Sequence, residues 1–284
     1  MVELDYLVIG HVTRDLVNGG FTIGGTASYT ARTAQALGCR VGIVTSASPD
    51  LDLGHALDSA LIARAPAVAT TTFENVYTPG GRQQMLHATA KTLMPQMVPP
   101  DWTIAPRGVV HLGPVAQECD PTLVDAFGDA FAGLTPQGWM RCWNQAGRVS
   151  RCRWRDAEPL LARADAIVLS EEDVAGDEAL VRRYAAQTRL LVLTRSASGC
   201  TVYTEGQRSH FPASLVQERD ATGCGDIFAA TFFVWLRRHG DPWAAARMAN
   251  CVAARSVTRA GLAGTPTADE IAACEQAVGV KRNS

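Results

Sequence analysis

The stretch Asp220-Ala221-Thr222-Gly223-Cys224-Gly225-Asp226 precedes the apolar run IFAATFFVWLRR. Glycines at 223 and 225 let the backbone turn tightly at the start of a helix. Amides left unpaired there, together with the summed peptide dipoles, make a seat for an anion. A carboxylate at the same place would repel a phosphate, so Asp226 has two readings. It caps the helix, as Asp commonly does, or it takes a proton from an attacking hydroxyl while the amides hold a migrating phosphoryl group. Cys224 is either a thiol made reactive by the helix start or a small packing residue. Acids also gather at Ser170-Glu171-Glu172-Asp173, where negative charge opens a helix favourably.

The elements that must carry these residues follow from apolar periodicity. Strands are expected at Leu4–Ile9, Arg40–Val44, Val109–Leu112, Ala166–Leu169 and Leu190–Leu193. A helix with 3.6-residue spacing runs over Ala27–Leu37 and stops at Gly38, and further helices are expected at 121–130 and 177–187. Strand–helix alternation implies right-handed βαβ units and a mainly parallel sheet covered on both faces. TVYTEGQRSHF reads as a hairpin about Glu205-Gly206, and helices follow over 225–238, 242–258 and 267–279. Residues 70–88, with a turn at Pro79-Gly80-Gly81, read as a hairpin off the main sheet, and Thr135–Trp154 as long loops at a sheet edge.

Composition narrows the chemistry. The 284 residues are 47% hydrophobic and 19% charged, with a formal charge of −2, which suits one α/β domain with a substantial core. No basic run exists to meet a nucleic acid backbone, and no apolar stretch is long enough to span a membrane. The start MVELDYLVIG lacks a basic leader, and eight scattered cysteines form no C-x-x-C pair, so a cytoplasmic protein with reduced thiols is expected. Only two lysines occur, Lys91 and Lys281, and neither follows a glycine, which excludes a P-loop. Gly10-His11-Val12-Thr13-Arg14-Asp15 lacks the second glycine of a dinucleotide fingerprint. The six histidines form no H-E-x-x-H pattern.

DATGCGD closely resembles the D-T-x-G-A-G-D signature of the ribokinase-like (PfkB) carbohydrate kinases, with Cys224 in place of alanine. Gly24-Gly25-Thr26-Ala27-Ser28 resembles the glycine pair that opens that family's first long helix. Gly10 and Asp15 fit its strand end and substrate-binding Asp. Leu193-Thr194…Gly199 resembles its T-x-G-x-x-G turn, with Ser196 for the first glycine, and Ala249-Asn250 resembles the position near the nucleotide base. The resemblance runs in order over about residues 4–270.

It implies a ribokinase-like three-layer α/β/α sandwich, residues 1–284 as one domain, with a mainly parallel sheet and a small reduced β lid from 11–24 and 70–88. It implies an ATP-dependent kinase acting on a hydroxyl of a small sugar or polyol, similar to inositol kinases in Thr72-Phe73-Glu74-Asn75 and in Pro136-Gln137-Gly138 with Arg141. Asp226 is the implied base, and Gly223, Cys224 and Gly225 supply the anion hole. Asp15, Gly25, Asn75, Gln137 and Arg141 (or Arg82) face the acceptor and its phosphate. Thr194, Gly199, Thr222 and Asn250 lie toward the nucleotide. Mg2+, held largely through water, falls to Asp173 or Glu172, because Ser170 and Asp173 replace the Asn and Glu of the family's N-x-x-E motif. A monovalent cation is a further implied cofactor, and a monomer or homodimer the implied assembly. Alternatives are a nucleoside kinase using Tyr29, Phe73 or Trp139 under the base, and a non-catalytic sugar or nucleotide sensor.

Overall fold

The computed structural model describes residues 1–78 and 81–279, without the side chains of residues 77, 78, 81 and 82. The turn expected at Pro79-Gly80 and the Arg82 side chain lie outside the described residues. In chain order the first half comprises β1 (Val2–Ile9), β2 (Thr13–Val17), β3 (Gly20–Gly24), α1 (Thr26–Ala36), β4 (Val41–Ala47), α2 (Gly54–Leu57), β5 (Leu61–Pro66), β6 (Thr72–Thr78), β7 (Gly81–Ala88), β8 (Trp102–Leu112) and β9 (Phe131–Leu134). Next come β10 (Arg141–Trp143), β11 (Val149–Arg151), α3 (Ala157–Arg163), β12 (Ala166–Ser170), α4 (Glu178–Ala185), β13 (Leu190–Thr194), β14 (Cys200–Thr204) and β15 (Gln207–Phe211). The chain closes with α5 (Cys224–His239), α6 (Pro242–Ser256) and α7 (Ala268–Val278).

Nine strands form the central sheet in the order β15-β14-β13-β12-β9-β8-β1-β4-β5. All neighbours pair parallel except β13–β14 and β14–β15. Apolar side chains alternate between two cores, as a sheet buried on both faces requires. Tyr6, Val8, Ala166, Val168, Leu190 and Val192 join the core under α1, α5, α6 and α7. Leu7, Ile9, Ile167, Leu169, Leu191 and Leu193 join the other, under α3 and α4. Helix α5 is buried without interruption from Ile227 to Trp235, which fits a helix enclosed by sheet and neighbouring helices.

A separate four-stranded sheet, ordered β3-β2-β6-β7, stands at the carboxyl ends of the parallel strands. The hairpins β2–β3 and β6–β7 join through a parallel contact of β2 with β6, in which Asp15 registers with Phe73. The two segments expected to build a lid thus pair with each other in this sheet, with β2 and β3 the shorter pair.

Two expectations need correction. Residues 121–130 form no α-helix: Asp120 accepts a hydrogen bond from the Thr122 amide and opens a 3-10 turn over Pro121–Asp125. Gly128, at φ 55°, then breaks any continuation. The segment Thr135–Trp154 is not a set of edge loops. It leaves the central strand β9, forms a 3-10 turn at Pro136–Met140 and the hairpin β10–β11, and meets the lid where the Leu86 amide donates to Gly147 O at 2.8 Å.

Candidate active site

Helix α5 begins at the carboxyl edge of the sheet with Gly223 as its N-cap, at φ 77°. A side chain there would overlap the ring of Tyr29 in α1, so both backbone sign and space require glycine. The loop is held from behind. Asp220 accepts from the Thr222 amide at 2.9 Å and from the Gly261 amide at 2.8 Å. Among the described residues, no protein acceptor meets the amides of Gly223, Gly225 or Asp226. The Cys224 amide donates to Ala221 O at 3.1 Å, so of the expected anion-hole residues Cys224 already has a protein partner for its amide. The Cys224 thiol points to Ala253 O at 3.7 Å, and burial pushes its pKa up. It is a packing residue, and the reactive-thiol expectation fails on desolvation.

Asp226 lies in the first turn of α5, and its Oδ1 accepts the Thr26 hydroxyl at 2.8 Å. Part of its surface stays open to the cleft, yet desolvation dominates and pushes its pKa up to about 6. The Thr26 hydrogen bond and Arg141 oppose that rise, while Asp173 and Asp15 add to it. These four groups thus share one electrostatic environment with the carboxyl, although they come from α1, β10, the end of β12 and the lid. A carboxylate with pKa near neutral at an open helix start has the properties of a general base.

Asp15, in β2, accepts the Thr13 hydroxyl at 2.9 Å, and its carboxylate lies so close to Gly24 that a side chain there would overlap it. Gly25 follows as N-cap of α1 at φ 86°. Asn75 lies two residues beyond Phe73 and so shares its lid face. On that face Phe73 packs against Leu86, Val115 and Ala116, with the Arg141 guanidinium 6.0 Å from its ring centroid. Gln137 lies half-buried in the 3-10 turn directly after β9.

Residues 155–268 match the pfkB family of carbohydrate kinases. The fructokinase of Klebsiella pneumoniae is 34% identical over 140 residues, which make up 42% of this chain and 46% of the relative. The segment 155–268 is thus similar to the pfkB carbohydrate kinases. The matched segment spans less than half of that curated relative. Solved structures agree over nearly the whole chain. A pyrophosphate-dependent myo-inositol kinase superposes with TM-score 0.74 at 18% identity, covering 96% of this chain and 99% of that one. The ribokinase of Arabidopsis thaliana, complexed with ribose and ATP, does so with TM-score 0.72 at 14% identity, covering 99% and 100%. The fold is ribokinase-like.

The acidic turn after β12 is closed on itself. Asp173 Oδ2 accepts the Ser170 amide at 2.8 Å, and Ser170 Oγ accepts the Asp173 amide at 3.1 Å. Glu172 is exposed. Of the two acids, Asp173 is the one whose charge reaches Asp226. Among the described residues no cluster of three or more His, Cys, Asp or Glu side chains could hold a metal ion directly. The carboxylates on this turn are of the kind that meet Mg2+ through its water shell.

The residues expected beside the nucleotide form a separate group near β13–β15. Thr194 Oγ1 donates to Leu169 O at 3.2 Å. Gly199, at φ 88°, packs against the Phe211 carbonyl, to which the Asn250 amide donates at 2.9 Å. Gly199 and Asn250 therefore fix where the chain leaves β15. From there the chain, exposed over 214–219, leads to the glycine loop, where Thr222 is also exposed.

The aromatic alternatives resolve by packing. Trp139 stacks on Trp154 at 5.6 Å and donates to Cys119 O, so it belongs to the core. Tyr29 is 2% exposed beneath the glycine loop. Phe73, 4% exposed, packs with Leu86, Val115 and Ala116 beside the Arg141 guanidinium.

Two important residues were missed from sequence. Thr26 meets Asp226 across 200 positions. Glu118, 3% exposed, accepts amides from His11 at 2.9 Å, Val115 at 2.9 Å and Ala116 at 2.7 Å. It thereby ties the lid's first hinge to the loop whose Val115 carbonyl faces Arg141 at 3.5 Å. The neighbouring Gly-Gly motif could have directed attention to Thr26. Nothing local marks Glu118.

Proposed function

We propose that this protein transfers the terminal phosphoryl group of ATP to a hydroxyl of a small sugar or polyol. The observation that carries the reading is Asp226, its carboxyl oriented by the Thr26 hydroxyl at 2.8 Å beside amides without protein partners at the start of α5. Asp15 and Asn75 from the lid, with Gln137 and the Gly25 backbone, hold the acceptor so that one hydroxyl meets Asp226. That carboxylate takes the hydroxyl proton as the oxygen attacks. The amides of Gly223, Gly225 and Asp226 stabilise charge on the transferring group, and Arg141 offsets the negative charge gathered at the acceptor side. Thr194, Gly199, Thr222 and Asn250 shape the donor side. Mg2+, near Asp173, supplies neutralisation of the donor phosphates when bound.

A second reading concerns the donor. The myo-inositol kinase with the similar fold is pyrophosphate-dependent, and the amide cradle would accept either phosphate chain. Release of ADP or orthophosphate, measured over sugars, inositols and nucleosides with ATP or pyrophosphate as donor, tests both. Turnover with a sugar or polyol supports the proposal; turnover with nucleosides alone, or none with any pair, refutes it.

A further inference from the structure

A cavity of about 710 Å3 opens between the β10–β11 hairpin and α4, on the sheet face opposite α5. Its volume is that of a small-molecule site. Arg151, Arg153 and Arg183 line it, and among the described residues none of them takes part in an ion pair. Two acids share the wall, but both already accept backbone amides: Asp173 from Ser170 at 2.8 Å, and Asp177 from Ala179 and Leu180 at 3.0 Å. The apolar wall includes Trp154 and Tyr184. Trp154 is 3% exposed, and its indole N–H has no hydrogen-bond partner among the described residues. Buried donors without a partner are uncommon and destabilising.

We propose that this cavity binds a small phosphorylated organic molecule, its phosphate facing the three guanidinium groups and its body lying against the wall that holds Trp154. Planar guanidinium forks suit phosphate oxygens, and the apolar wall suits an organic body. No residue of the glycine loop lines the cavity, and the proposal does not depend on the kinase reading. Asp173 links the two, because it lines the cavity and its charge also acts on Asp226.

Isothermal titration of the full chain with ribose 5-phosphate, AMP and inorganic phosphate tests the proposal. The expected result is binding of at least one of the two phosphorylated organic probes, more tightly than inorganic phosphate, to a site weakened about tenfold or more by R153A/R183A. Which probe binds tells a sugar phosphate from a nucleotide. Both arginines are exposed, so the double variant should fold. R153K/R183K, which keeps the charge but not the forks, should fall between. Equal affinity in wild type and R153A/R183A would place the probe elsewhere and overturn the proposal. So would no binding at millimolar probe, or inorganic phosphate bound as tightly as both organic probes.

Discussion

Replacing Asp226 by Asn should separate catalysis from stability. Its pKa rises from the ordinary 3.8 to about 6 in the folded protein, chiefly by desolvation. Two units at about 1.4 kcal/mol each give roughly 3 kcal/mol, an upper bound because part of the carboxyl stays open to the cleft. A carboxyl with a raised folded pKa contributes stability that is complete below the unfolded value. That contribution is lost as pH climbs through about 6. At pH 8 the ionised group therefore burdens the fold. Asn keeps an oxygen for the Thr26 hydroxyl and carries no charge. D226N should thus be more stable than wild type by up to about 3 kcal/mol at pH 8, with a gain that shrinks toward pH 4. Urea denaturation midpoints at both pH values read this directly. The same change should lower kcat by about 10²-fold or more, the usual contribution of a positioned base. A variant less stable than wild type at pH 8, or one with unaltered kcat, would refute the reasoning.

Other consequences follow from the same geometry. In wild type, kcat/KM should fall as pH drops through about 6, where Asp226 takes up its proton. R141M removes the charge that lowers this pKa, so the acidic limb of the pH–rate profile should move to higher pH; an unmoved limb would detach Arg141 from the base. D15A should raise the acceptor KM far more than the donor KM in steady-state assays, and the reverse pattern would misplace the two sites. G223A, forced into positive φ and against the Tyr29 ring, should lower stability by about 1–3 kcal/mol and reduce kcat; a silent change would contradict the tight loop. E118Q sets an amide NH2 among backbone donors and should cost about 1–3 kcal/mol in denaturant titration. A wild-type midpoint would show that the Glu118 contacts contribute little.

The sheet and its helices were legible because each long element carries its own period. The parallel strands read as apolar runs, α5 as an unbroken apolar helix, and the β14–β15 turn as Glu205-Gly206, both at positive φ. The glycine loop was legible for the same local reason: glycine spacing and the acid at its end lie within seven residues. What escaped depends on distant contacts. Residues 121–130 have a helix-like pattern, but Arg163 donates to the Gly128 carbonyl and the segment turns there instead. The lid's parallel pairing of Asp15 with Phe73 and the meeting of Thr26 with Asp226 leave no mark in either local string. Glu118 looks like any surface acid until four hydrogen bonds to backbone amides enclose it. Cys224 was ambiguous because the helix start and burial push a thiol in opposite directions, and only packing against α6 decides between them.

A crystal structure with MgADP, aluminium fluoride and the acceptor selected by the turnover screen would test the central claim most directly. The fluoride group, standing for the phosphoryl in flight, should accept hydrogen bonds from the amides of Gly223, Gly225 and Asp226, with an acceptor hydroxyl against the Asp226 carboxylate. Fluoride bound away from those amides, or an acceptor hydroxyl out of reach of Asp226, would contradict the account.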